Sequence, residues 1–280
     1  PLQQIAGTMA GSLQRHWRGR VGEGLDDLRP GSFFYDLESK ALYIQLPDGS
    51  DPNQRMVEVS VRPFLWYIRD LDYVRLVGLK MRHANTSAVV NWPAMMARGD
   101  HLIIENVRVE WSDFGGFSMR GVGNRVVGCV FNHNGCYGIG GGGPACAYLD
   151  CETSYNNYRH WSAGWHAGGV KIIPNCHDTV MRGHIAAYNY ESPGIWFDAC
   201  NSNISIENCV AHHNGKSGIM YEIGERATIK NNLCYANGHR GIYISSSSYC
   251  AVLHNTCVGN GMSGIVVSSP DTRLSTWYGR

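Results

Sequence analysis

Two carboxylates hold matching places in this chain. Asp198 lies in the run GIWFDA, which starts at Gly194, and Glu222 lies in GIMYEI, which starts at Gly218. Each acid is the fifth residue of a short apolar run led by glycine, and the two are 24 residues apart. In strands, side chains alternate between faces, so second and fourth positions point one way and third and fifth the other. The second and fourth positions here are Ile195 and Phe197, then Ile219 and Tyr221. That face is apolar and belongs inside, which turns both acids outward. Acids on neighbouring strands stand about 4.8 Å apart at the backbone. Repulsion at that distance raises one pKa, and Glu222, flanked by Met220 and Ile223, is the member expected to keep its proton. An ionised carboxylate beside a protonated one, roughly 5–5.5 Å apart, is the machinery of a retaining glycosidase; an inverting enzyme needs about 6.5–9.5 Å. The plainer reading makes both solvated surface acids. Against it, like charges directly opposite destabilise a sheet, and the surrounding outward residues are Lys171, Trp196, Met220 and Tyr243 rather than paired bases.

The elements that must carry these acids are legible as a repeat. Glycine-led runs begin at Gly116, Gly138, Gly169, Gly194, Gly218, Gly241 and Gly264, the last five spaced by 25, 24, 23 and 23 residues. Asn189, Asn214, Asn237 and Asn260 keep the same beat before tight bends, and Asn134 and Asn157 fit upstream. Cys129, Cys151 and Cys209 lie five residues before the landmark asparagine or its neighbour, and Cys234 and Cys257 three before it. A period of this length with short β-branched runs and no helix signal predicts an all-β parallel β-helix of about eight coils, from near Asp72 to Pro270. The Leu-x-x-Leu-x-Leu spacing of leucine-rich repeats is missing. Stacking places Val170, Ile195, Ile219, Ile242 and Ile265 in one interior column and Asn214, Asn237 and Asn260 in a hydrogen-bonded ladder. The ten cysteines at repeat spacing read as buried thiols, not as a disulfide framework. The third outward column is Ser118, Gly140, Lys171, Trp196, Met220, Tyr243 and Val266. The fifth is Arg120, Gly142, Ile173, Asp198, Glu222, Ser245 and Ser268.

One coil is long. The step from Gly138 to Gly169 is 31 residues, and the surplus falls in NNYRHWSAGWHAGG, Asn156 to Gly169. An insertion in a solenoid emerges on one face, often the binding face. Residues 156–168 are therefore expected beside Asp198 and Glu222, with Trp161 or Trp165 lining the cleft as a flat platform for a sugar ring and His166 close by. The alternative is that the tryptophans seal the loop onto the coil. Histidine pairs such as His160/His166 and His212/His213 complete no zinc set, and GIGGGG at Gly138 lacks the Lys-Ser/Thr of a phosphate loop. No cofactor is expected; a structural Ca²⁺ on loop carbonyls is compatible with the sequence.

Composition narrows the partners. The net charge is +1, with 24 basic and 23 acidic residues, so no nucleic-acid binding by bulk charge is expected. Charged residues make up 17%, and no run of 18 apolar residues is present, so no membrane-spanning helix is expected. Residues 1–65 carry no repeat and predict a β cap or sandwich remnant with strands over 32–36 and 41–46; 66–270 form the solenoid and 271–280 a tail. No signal peptide is visible and the chain starts at Pro1, so a removed leader or an excised fragment is expected, with a secreted or periplasmic location.

The stretch from Glu191 to Gly238, with AGWHAGGVKII and the PGSFFYD…LYIQLPDG segment, resembles bacterial right-handed parallel β-helix proteins related to glycoside hydrolase family 120, the β-xylosidases. The resemblance implies right-handed coiling, Asp198 as nucleophile in the GIW-aromatic-Asp strand, and Glu222 on the next coil as acid/base. The chain is short for that family. The expected substrate is an oligosaccharide or glycoside, with Lys171, Trp196, Tyr243, Trp161, Trp165, His166 and Arg120 shaping its site. Two other functions compete. A polysaccharide lyase or uronate epimerase would use Lys171 or Tyr243 as base and Arg120 to neutralise the uronate. A non-catalytic carbohydrate-binding solenoid would make both acids replaceable.

Overall fold

A computed structural model describes residues 2–5, 16–19, 22–86 and 91–269. The tail expected over 271–280 lies outside the described residues. The chain winds as a parallel β-solenoid of about eight turns. Each turn contributes one strand to each of three faces. The face that carries Asp198 and Glu222 stacks Trp66–Ile68, Pro93–Arg98, Gly115–Arg120, Tyr137–Gly142, Gly168–Ile172, Ile195–Glu207, Ile219–Lys230, Arg240–Ser245 and Ser263–Ser268, all in parallel. Stacking thus begins at Trp66, before the first recognisable repeat at Asp72. Helix among the described residues is confined to short 3-10 turns such as Leu25–Asp27 and Pro52–Gln54.

The register follows the glycine-led runs. Val170, Ile195, Ile219, Ile242 and Ile265 are in register from coil to coil. The first four are fully buried, whereas Ile265, on the last described rung, is 48% exposed. Ile195–Glu207 and Ile219–Lys230 are long because each continues round a corner into the next face. Left-handed residues make those corners, Ala199 and Asn203 in one strand and Ile223 and Arg226 in the other.

The asparagine ladder is continuous. Asn134 donates to Asn156, Asn156 to Asn189, Asn189 to Asn214, Asn214 to Asn237 and Asn237 to Asn260, with Nδ2–Oδ1 distances between 2.8 and 3.2 Å. Asn156 takes the rung that spacing assigns to Asn157. Asn157 leaves the ladder because its side chain ties down the long loop, accepting from Trp161 N at 2.8 Å and donating to Trp161 O at 3.0 Å. The described cysteines are free thiols: seven are buried, including Cys129, Cys151, Cys209 and Cys234, and Cys250 and Cys257 are half-buried. The N-terminal strands Ser32–Tyr35 and Leu42–Gln45 form an antiparallel hairpin, and Gln3–Gln4 joins it in parallel.

His184 is fully buried in the solenoid, with Nε2 2.8 Å from Thr153 Oγ1 and Nδ1 without a hydrogen-bond partner. Burial pushes its pKa down to about 3, against an ordinary 6.5. The unfolded chain therefore binds a proton at His184 that the folded chain refuses between pH 6.5 and 3, so this residue makes stability fall as pH drops through that window. The slope is about 1.4 kcal/mol per pH unit. His184→Gln should flatten the acid side of a Tm-against-pH profile between pH 6 and 4; an unchanged slope would refute this assignment.

Candidate active site

Asp198 and Glu222 are in-register neighbours on adjacent coils. Just beyond them the pairing slips, so that Asn201 rather than Cys200 meets Gly224. This bulge places both acids at the end of the flat part of the sheet, where the chain begins its corner. Both are largely buried, at 6% and 8% exposure. They line a cleft of about 300 Å³ together with Trp196, Met220, Tyr243, Lys216, His239 and Arg240.

Lys171 sits one coil before Trp196 in the outward column and reaches diagonally across its ring. Its Nζ lies 3.0 Å from the ring centroid and 2.9 Å from Asp198 Oδ2, both partners of the ion pair being buried. The ammonium thus fixes one carboxylate oxygen. The other, Oδ1, is buried with no hydrogen-bond partner, as is Trp196 Nε1. Buried polar atoms left unpaired are rare and costly in folded proteins, and here two of them belong to residues of one cleft. Tyr243 completes the column: its hydroxyl is 3.1 Å from Ser268 Oγ and the Arg240 guanidinium lies 4.4 Å from its ring centroid.

The long loop does reach the cleft, through Ala163 and Gly164. Its tryptophans do not line it. Trp161 is 3% exposed and packs with Trp17, Phe114, Tyr137 and Trp165. The segment around Trp17 clamps the loop from outside: Trp17 bridges Trp161, Ser162 N donates to His16 O, and Trp17 Nε1 donates to Arg159 O. Trp165 is half-buried and stacked on His16. Both tryptophans seal the loop, which corrects the sugar-platform expectation. His166 is held edge-on against Trp165, with burial and then the Lys171 charge pushing its pKa down to about 4. It does not line the cleft. Arg120 is exposed in register with Gly142, three coils before Asp198, roughly 14 Å along the stack at one strand spacing per coil. Trp161→Ala should therefore cost about 3–5 kcal/mol of stability, as for other large-to-small core changes, while leaving the KM of the surviving folded protein unchanged; a raised KM at unchanged stability would reinstate the platform.

Strand alternation does not single out Lys216, His239 and Arg240: Lys216 and His239 lie in turns, and Arg240 opens its strand just before the glycine from which the alternation is counted. Their signal was present in the repeat: NGKSG at 214–218 and NGHRG at 237–241 place basic residues at equivalent turn positions next to the acid-bearing strands.

Residues 91–257 match the family described as right handed beta helix region. The chain belongs to that family. Solved structures agree on this β-helix fold. The pectate lyase Pel9A superposes with a TM-score of 0.56 at 14% identity, over 98% of this chain and 80% of that one. XylC in complex with xylose gives 0.56 at 11% identity, over 91% and 49%. A glycoside hydrolase structure gives 0.50 at 11% identity, over 92% and 59%. This β-helix thus spans about half the length of XylC. No curated protein sequence matches it.

Proposed function

We propose that this β-helix is a retaining glycoside hydrolase acting on oligosaccharides or glycosides, of the β-xylosidase type that its acid-bearing strands resemble. The observation that carries the reading is the in-register Asp198/Glu222 pair on the cleft floor, one member ion-paired to a buried lysine. The XylC structure holds xylose on a similar fold, which is in keeping with a sugar in this cleft.

In the first step an Asp198 oxygen attacks the anomeric carbon. The glycosidic C–O bond breaks as Glu222 gives its proton to the leaving oxygen, and a glycosyl ester on Asp198 results. In the second, the Glu222 carboxylate takes a proton from water, which attacks the same carbon and releases Asp198. Lys171 orients the attacking carboxylate through Oδ2, and Trp196 and Tyr243 shape the sugar's surroundings. The ion pair also weighs against the form of the lyase or epimerase reading in which Lys171 serves as a neutral base. A panel of nitrophenyl glycosides, followed by NMR of the first-formed product, tests this: hydrolysis with retained anomeric configuration is expected, and an inverted product or uronate elimination in its place sinks it.

A further inference from the structure

Three basic side chains line the cleft alongside the two acids: Lys216, His239 and Arg240. Lys216 and His239 occupy successive rungs, His239 N donating to Lys216 O at 3.2 Å. Arg240 follows in the chain, its guanidinium laid over the Tyr243 ring. Among the described residues none of the three forms an ion pair with a carboxylate, whereas Lys171 is matched to Asp198. The three feel one another: burial first, then the charges of Lys216 and Arg240, lower the His239 pKa. Two other basic clusters on the solenoid are each built around an acid, Arg82, Lys80 and Arg108 around Glu110, and Arg182 and Lys230 around Glu207. An unmatched basic cluster inside a cleft is a standing cost that a bound anion relieves.

We propose that Lys216, His239 and Arg240 form a subsite for the carboxylate of a uronic acid residue in the substrate chain. A planar guanidinium held against an aromatic ring presents the donor fork that a carboxylate accepts in two parallel hydrogen bonds. Lys216 supplies a second charge from the neighbouring rung. Lys171 neutralises Asp198, so the floor of the cleft does not repel the incoming anion as an unpaired acid pair would. The catalytic consequence, cleavage of uronate-bearing glycans, rests on the glycosidase reading; the binding does not.

Calorimetric titration of oligouronates in gluco, galacto and manno configuration, each against its own methyl ester, separates the two. Wild-type protein serves where no turnover occurs and Glu222→Gln where it does. At least one acid should bind about tenfold or more tighter than its ester, the size of a lost charge-assisted hydrogen bond. That margin should shrink between 0.05 and 0.5 M salt as screening grows. In the double variant Lys216→Ala/Arg240→Ala the acid should fall to the affinity of the ester, with the ester unchanged. If no acid outbinds its ester, or the double variant keeps the margin, the subsite is refuted. Hydrolysis of neutral glycosides with no acid preference would refute the subsite alone. Acid-selective binding without hydrolysis of any glycan would refute the glycosidase reading alone.

Discussion

Asp198→Asn should show no measurable turnover on any glycoside, however good its leaving group, because an amide cannot form the glycosyl ester. Glu222→Gln should behave differently. On natural substrates it should lose roughly 10²–10⁴-fold, the usual contribution of a positioned proton donor. On an aryl glycoside whose leaving group needs no proton, its first step should stay fast, and added azide should restore turnover with retained configuration. The structure adds a control. Asp198 is the partner of a buried ammonium, and removing one member of such a pair typically costs about 3–5 kcal/mol. Asp198→Asn alone should therefore lower Tm, whereas Asp198→Asn/Lys171→Met should recover much of the stability and none of the activity. Near-normal activity in Asp198→Asn would end the mechanism, and activity returning with stability in the double variant would show that Asp198 acts only in folding.

The second large effect concerns the asparagine ladder beside the face that carries Asp198 and Glu222. Asn214 is fully buried and makes contacts in both directions: Nδ2 donates to Asn237 Oδ1 and to Ala186 O, each at 2.9 Å, and Oδ1 accepts from Asn189 Nδ2 at 2.8 Å. The position is also cramped, since a Cβ on Gly194 would meet Asn214 Nδ2 at 2.7 Å. Asn214→Ala leaves buried groups of three residues short of a partner, at about 1–3 kcal/mol for each that stays unsatisfied. A loss of about 3–4 kcal/mol is expected, or roughly 6–16 °C in Tm for a domain of this size. Asn260→Ala, at the half-buried last rung, should cost less, because it leaves groups of two residues short of a partner, Asn237 and Cys234, and no asparagine is stacked beyond it among the described residues. Equal losses at the two positions would mean that the ladder is not cooperative along its length.

The acid pair was legible in the sequence because a solenoid converts spacing into neighbourhood. Twenty-four residues are one turn, so two equivalent positions must be in register whatever lies between them. The same logic gave the interior column, the free thiols and most of the asparagine ladder. It failed where a side chain's partner is not one period away. Trp161 and Trp165 sit in an insertion whose environment is set by the segment around Trp17, about 140 residues earlier in the chain. Nothing in the repeat encodes that clamp, so exposure and sealing could not be told apart from sequence. Asn157 departs from the rung its spacing predicts for the same reason: its side chain serves the loop rather than the stack. The partnership of Lys171 with Asp198 is diagonal, spanning one coil and two residues, and it depends on a side chain long enough to cross the Trp196 ring. Strand alternation set the direction of Lys171 but not its reach. Lys216 and His239 lie in turns, where alternation assigns no direction, and Arg240 opens its strand just before the glycine from which alternation is counted; only the folded path of the chain brings the three to the rim of the cleft.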